Sequence, residues 1–372
     1  MAQSVALFET RAAAHGKRIG FATLNAERSL NALSFEMADL LWQQLHAWRE
    51  DPAIACVVLQ GAGERAFCAG GDIVVLYKFL SQSDAQAARA SVEQYFTREY
   101  RLDYLIHTFP KPVLCWGHGV VMGGGLGLMV GCSHRVVTEA TRMAMPEITI
   151  GFYPDVAGSW FLNRMPGRVG LYLGLTGTRL NAGDALFLNL ADYYVQSGDK
   201  QELYERLLQV EWTDEARANR RALSALLRTY RGKYIPPESP VRRRFDAINE
   251  VTDYDSVEEI LAALTARAAG DHWLERGAQA LRNGSPTSAK VIFEIYRRAA
   301  RASLKEIFAL ELGLTVQFAM HPDLREGVRA LLIDKDNRPS WSPARLEDVS
   351  ASYVEEHFAS PWPPNQHPFK DW

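Results

Sequence analysis

Cysteine is scarce in this chain, and its four copies, Cys56, Cys68, Cys115 and Cys132, form no CxxC spacing. Three of them sit in or beside apolar runs, so buried, reduced thiols in a cytoplasmic protein are expected. Long hydrophobic runs are absent too: no stretch approaches the ~18 uninterrupted apolar residues of a membrane-spanning helix. The opening segment MAQSVALFETRAAAHGKR lacks the continuous apolar core of a signal peptide, and Glu9 argues against a transit peptide. Neither sign of charge is in excess. With 41 Lys and Arg against 44 Asp and Glu, the net charge of −3 gives no general attraction to nucleic acid or to an anionic membrane. Any anionic ligand must therefore be held by local donors. The nine histidines are scattered and none pairs with cysteine at zinc-ligand spacing, so no metal site is expected. There is no internal repeat.

What is present is ordinary globular material, 47% hydrophobic and 23% charged over 372 residues. RIGFATL (18–24), IACVVL (54–59) and PVLCW (112–116) read as strands, and helical spacing follows Ser34, follows Asp72 and fills the stretch near Asp84–His107. This alternation indicates an α/β layer fold. Short strands are expected at HRVVT, MAM and DYYV, with apolar helix faces at GSWFLNRM and GLYLGLTGTRL between the last two. Near residue 197 the composition changes: LRTYRGKY and Arg242–Arg244 are charge runs, read as a solvated helical surface and linker because acids are interleaved. The division expected is an α/β core over 1–196 and a helical C-terminal region over 197–372.

The chemistry gathers in Cys115–Asp155. Three consecutive glycines, Gly123, Gly124 and Gly125, lie between an apolar strand and the apolar run LGLMV, and two carboxylates, Glu147 and Asp155, follow. Glycines there let a ligand approach bare amides at a helix N-terminus. Isolated carboxylates in apolar surroundings can serve as acid, base or nucleophile. Together they point to chemistry on a carbonyl. A dinucleotide fingerprint through Gly117, Gly119 and Gly123 fails, because three residues, Val120, Val121 and Met122, separate the last two glycines where that motif has two.

With these residues set out, the chain resembles the enoyl-CoA hydratase/isomerase (crotonase) superfamily, and more narrowly its 3-hydroxyisobutyryl-CoA hydrolase branch. LNAERSLNAL and AFCAGGDI resemble the family's coenzyme A loops, and HGVVMGGGLGL is similar to its oxyanion-hole segment. MPEITIGFYPDVAG and EGVRALLIDKDNRPSW resemble the hydrolase branch's signature and its C-terminal block. The resemblance implies a ββα superhelix, or spiral, with a C-terminal helical region. It implies hydrolysis of a short-chain 3-hydroxyacyl-CoA, such as 3-hydroxyisobutyryl-CoA of valine catabolism, to the free acid and coenzyme A. The only partner implied is this small-molecule substrate, with no separate cofactor, no nucleic acid and no membrane; the superfamily's habit of forming trimers is the basis for expecting a homo-oligomer. Two other readings stand beside it: an enoyl-CoA hydratase or isomerase of the same fold, and a non-catalytic scaffold that binds coenzyme A or RNA.

The same resemblance places the oxyanion donors on the Gly71 and Gly124 amides, while close helix–strand packing is the plainer reason for Gly124 alone. Glu147 is left as either nucleophile or general base, and Asp155 would orient the substrate's 3-hydroxyl or assist water. Glu99 would complete the substrate pocket, or simply be a solvent-facing helix acid. Gly127 stands where hydratases carry their first catalytic Glu. Coenzyme A would be gripped by Arg28, Leu30, Ala66, Phe67, Asp72 and Ile73, with Asp72 equally a helix N-cap. Lys335 would lie near the adenine or phosphate, or be an ordinary exposed lysine. Two departures from the branch, Arg98 before the Tyr100 segment and Ala157–Trp160 after Asp155, bear on which acyl group is preferred.

Overall fold

The protein is described by a computed structural model covering residues 4–372. The chain packs as two compact units, each drawn from three separate segments. The first comprises residues up to Gly71, then Arg101–Met143 and Leu180–Arg242; the second comprises Asp72–Tyr100, Ala144–Arg179 and Arg243–Trp372. The composition change near residue 197 marks the onset of a charged helical stretch inside the first unit.

The first unit is built on a six-stranded sheet, ordered β1 (Ala6–Ala12), β2 (Arg18–Leu24), β3 (Ile54–Gly61), β5 (Val113–Gly117), β7 (His134–Val137) and β9 (Tyr193–Tyr194). β1 pairs antiparallel with β2 and the remaining neighbours are parallel. Parallel neighbours need long crossovers, and helices fill them. α1 (Phe35–Glu50) links β2 to β3, and the Ser34 hydroxyl caps it by accepting from the Met37 amide at 3.1 Å. A second sheet of short strands runs in the order β4 (Ala66–Cys68), β6 (Val120–Met122), β8 (Arg142–Ala144). Along the chain, α2 (Ile73–Leu80) and α3 (Ala85–His107) come between β4 and β5, and α4 (Gly124–Gly131) comes between β6 and β7.

β3 is buried at all but one of its positions, as a central parallel strand should be, and IACVVL announces it. β1 escapes sequence reading because it is an edge strand, ALFETRA, with most positions exposed or half-exposed. The charged stretch after residue 197 is not a linker. Its helices Lys200–Leu208 and Ala216–Arg228 turn Leu203, Tyr204, Leu207, Leu223, Leu226 and Leu227 into the same core as Phe21, Val58 and Trp116. The arginines and glutamates occupy the outer faces of helices whose inner faces are strongly apolar.

Leu227 is fully buried in that core. Leu227→Ala should therefore lower the unfolding free energy by about 2–5 kcal/mol, read by urea titration. A loss below about 1 kcal/mol would return the segment to the status of a solvated surface.

Candidate active site

In the first unit, β5, β6 and α4 present the glycine triplet. Gly123 takes φ +48° and ψ −126°, a conformation that side chains rarely permit, and turns the chain from β6 into α4. A Cβ at Gly125 would collide with the Cys68 carbonyl oxygen, so α4 can press against β4 only because this residue is glycine. The amide of Gly124 is the first in α4 and has no acceptor within the helix. A Cβ at Gly70 would lie 3.7 Å from the Gly124 nitrogen. The structure thus brings the Gly70–Gly71 loop and the N-terminus of α4 together, leaving two glycine amides, Gly71 and Gly124, beside each other's loops.

The residues expected around coenzyme A are held as follows. Leu30 and Asn31 both take left-handed φ (+54° and +57°), and the Asn31 amide group donates to the Ala62 and Ala66 carbonyls, each at 2.9 Å. Leu33 N–H donates to Gly70 at 2.8 Å and Ala69 N–H to Leu30 at 3.0 Å, which ties the Arg28–Leu30 loop to the strand carrying Ala66 and Phe67. In the second unit Asp72 caps α2, accepting from the Val75 amide at 3.1 Å, so its side chain is already committed. Ile73 begins that helix. Lys335 is exposed at φ +56°, two residues after the helical segment that ends at Ile333 and before the last helix, Ala351–Phe358.

The second unit holds the acids. Glu147 opens a single 3-10 turn, Glu147–Ile150, and Asp155 follows Pro154 before the short helix α5 (Gly158–Leu162). Glu99 projects from α3, and a fourth acid, Glu311, from the helix Leu304–Met320. All four are buried: Glu311 at 0%, Glu99 at 2%, Asp155 at 5% and Glu147 at 6% exposure. Glu99 is therefore not a solvent-facing acid. Their partners differ. Tyr100 Oη donates to Asp155 Oδ2 at 2.8 Å. Glu311 accepts from the Ala157 and Ser159 amides at 2.8 and 3.0 Å. Among the described residues, Glu147 Oε2 is buried with no hydrogen-bond partner.

Burial raises all four carboxyls above the usual carboxylate range, and the Asp155 charge raises Glu99, Glu147 and Glu311 further. Asp155 itself is pushed up to about 7 by burial, with the Tyr100 hydroxyl pulling the other way. Glu311 rises to about 8, opposed by the amides it accepts from. Such a cluster can hold and release protons near neutrality, and an ionised Glu147 there is a stronger base or nucleophile than a carboxylate in water. Among the described residues no group of three or more His, Cys, Asp and Glu is arranged to hold a metal ion.

Sequence reading missed Glu311, Tyr100, Tyr153 and Thr315. The signal available was slight: one acid inside the apolar stretch IFALELGLTV, with a threonine four residues on. Val156 and Ala157, at φ +51° and +67°, were also unreadable, and each costs about 1–3 kcal/mol of backbone strain.

This chain belongs to the enoyl-CoA hydratase/isomerase family, whose sequence profile matches residues 19–358. Within it, the chain is 38% identical over 343 residues to the mitochondrial 3-hydroxyisobutyryl-CoA hydrolase of Gallus gallus, covering 91% of this chain and 86% of that protein. It is 37% identical over 341 residues to 3-hydroxyisobutyryl-CoA hydrolase 1 of Arabidopsis thaliana, covering 90% of this chain and 88% of that one. Among solved structures it superimposes on a carnitinyl-CoA dehydratase from Mycobacterium thermoresistibile with a TM-score of 0.83 at 35% identity, over 96% and 97% of the two chains. An enoyl-CoA hydratase from Rhodobacter sphaeroides gives a TM-score of 0.82 at 33% identity, over 95% and 97%. The fold is the crotonase fold, with a helical C-terminal region.

The raised carboxyls make a stability prediction with a definite sign. A group whose folded pKa lies above its unfolded value binds more protons when folded, so its contribution falls as pH rises from the unfolded value through the folded one. For Asp155 that window runs from its ordinary 3.8 to about 7. Asp155→Asn should therefore gain urea resistance relative to wild type at pH 8, with the gap narrowing toward pH 5. Buried His107 and His134, both lowered to about 4, act in the opposite sense and are common to both proteins. Glu99, Glu147 and Glu311, which the Asp155 charge helps to raise, shift in the same sense as Asp155, so the gap reports the coupled carboxyls together. A gap that widens toward pH 5 would contradict the raised carboxyl.

Proposed function

We propose that this protein hydrolyses a short-chain 3-hydroxyacyl-CoA thioester, 3-hydroxyisobutyryl-CoA foremost, to the free acid and coenzyme A. The observation that carries the reading is Glu147: a buried carboxylate oxygen with no hydrogen-bond partner among the described residues, in a turn whose sequence resembles the hydrolase branch's signature. The names of the relatives from Gallus gallus and Arabidopsis thaliana support the same acyl group.

In this reading the Gly71 and Gly124 amides receive the thioester oxygen as it gains negative charge, each worth on the order of 3 kcal/mol in a dry site. Glu147 acts in one of two ways. As nucleophile it attacks the carbonyl carbon, the C–S bond breaks, the thiolate of coenzyme A leaves, and water then opens the mixed anhydride. As base it takes a proton from water, the resulting hydroxide attacks, and the proton passes to the leaving sulfur. Asp155, fixed by Tyr100, orients the 3-hydroxyl of the acyl group, with Glu99 beside it in the same polar set. A cytoplasmic setting belongs to this reading as well. It rests on four buried free cysteines, although the vertebrate relatives are named mitochondrial.

The hydratase and dehydratase names of the two solved neighbours favour a second reading, addition or removal of water. Against it stands Gly127, buried in α4 where hydratases of the superfamily place an acid. Free-thiol release separates the two, because hydration leaves the thioester intact.

Glu147→Gln should lower the rate of thiol release from 3-hydroxyisobutyryl-CoA by about 10²–10⁴-fold while coenzyme A binding persists. Single turnover in heavy-oxygen water that places label in the Glu147 carboxylate identifies it as the nucleophile, with water opening the anhydride at the glutamyl carbon; the base route labels the product acid alone. Wild-type protein that hydrates crotonyl-CoA as fast as it releases thiol would overturn the hydrolase reading.

A further inference from the structure

Helix Leu304–Met320 carries Glu311 and Thr315, both fully buried and four residues apart, hence on one face. They grip the Asp155 turn in two ways. Glu311 accepts from the Ala157 and Ser159 amides, one with each carboxylate oxygen, at 2.8 and 3.0 Å. Those amides begin two residues beyond Asp155, where Val156 and Ala157 hold their left-handed φ. Only a side chain with two acceptor oxygens satisfies both; a glutamine would turn its NH2 toward one of them.

Thr315 works on the side chain of Asp155 through two tyrosines. Its Oγ1 lies 2.8 Å from Tyr100 Oη and 2.9 Å from Tyr153 Oη. Tyr153 donates to the Glu311 main-chain carbonyl at 2.7 Å, so its hydrogen is already placed. Tyr100 in turn gives its hydrogen to Asp155 Oδ2 at 2.8 Å. With both tyrosine hydrogens placed, Thr315 is the donor in this group, and its one hydrogen serves the Tyr100 and Tyr153 oxygens between them.

We propose that Glu311 and Thr315 are positioning residues for Asp155: Glu311 fixes the main-chain turn that presents it, and Thr315 anchors the oxygens of Tyr153 and of Tyr100, whose hydroxyl holds its carboxylate. The proposal rests on the reading that Asp155 takes part in the thioester reaction.

The test uses the full chain, 3-hydroxyisobutyryl-CoA and steady-state thiol release, with Thr315→Val, Thr315→Ser, Glu311→Gln and Asp155→Asn. Thr315→Val keeps the shape and loses the hydroxyl; kcat should fall by about tenfold or more with KM within about twofold, and Thr315→Ser should restore kcat to within about twofold of wild type. Glu311→Gln should lose kcat in the same way, and if it does not fold, the Thr315 pair decides alone. Serine failing as badly as valine would mean that packing, not the hydroxyl, matters, and would overturn the proposal. So would a KM increase at unchanged kcat. Wild-type kcat in Thr315→Val and Glu311→Gln beside an Asp155→Asn enzyme slowed by about 100-fold would overturn the positioning role and leave the site reading intact. An Asp155→Asn enzyme of normal rate would bring down the site reading, and this proposal with it.

Discussion

Negative charge shut away from water is the constraint that shapes the second unit. An ionised carboxylate without water or partners is so costly that it takes up a proton instead, and four such groups in one unit compound the cost for one another. The protein distributes its donors unequally. Asp155 receives a tyrosine hydroxyl and Glu311 two amides, whereas one oxygen of Glu147 receives nothing from the described residues. Charge therefore has a reason to settle on Asp155 before Glu147, which keeps a proton or a high basicity. Unequal environments for similar side chains are how one set of carboxylates supports different roles.

The same inequality gives the C-terminal helices a purpose beyond bulk. Val156 and Ala157 adopt backbone angles that ordinary side chains avoid, and such strain persists only where the surroundings over-determine it. Here the surroundings are Glu311 and Tyr153, the latter bonded to the Glu311 carbonyl. Helix Leu304–Met320 stacks an aromatic wall of Phe308 and Phe318 about Tyr100, Phe152 and Tyr153, which keeps water out. What reads in sequence as one helical region after an α/β core is divided in the folded chain: residues up to Arg242 belong to the first unit, and Arg243–Trp372 to the unit that holds the acids.

Legibility followed the range of the interaction. The parallel strands could be read because burial on both faces leaves uninterrupted apolar runs such as IACVVL, and the caps Ser34 and Asp72 because each acts on a residue three positions on. The glycine triplet could be read because a turn and a close approach exclude side chains locally. Glu147 and Asp155 stood out as lone acids among apolar residues. Glu311 did not, since its bonds to Ala157 and Ser159 span 154 and 152 residues and nothing local marks them. The charge runs after residue 197 misled for a related reason: composition reports the outer face of a helix, and the inner leucines count only once the period is traced.

Gly127 divides the labour of the proposed reaction. α4 is buried at nearly every position and carries no titratable side chain, so the first unit's glycine cradle offers main-chain dipoles alone. Dipoles can stabilise an oxyanion without exchanging a proton. In the proposed reaction the groups that move a proton are the acids Glu147 and Asp155. Thioester hydrolysis fits that division, because it asks for one polarised carbonyl and one group that attacks or activates water. Addition of water across a double bond asks more: a proton must leave water and another must reach the neighbouring carbon, and the superfamily's hydratases station a second carboxylate for it at the place this chain gives to glycine. For the proposed reaction, the lack of a side chain at residue 127 means that α4 brings no proton-transferring group of its own, which favours breaking the C–S bond over hydrating the acyl chain.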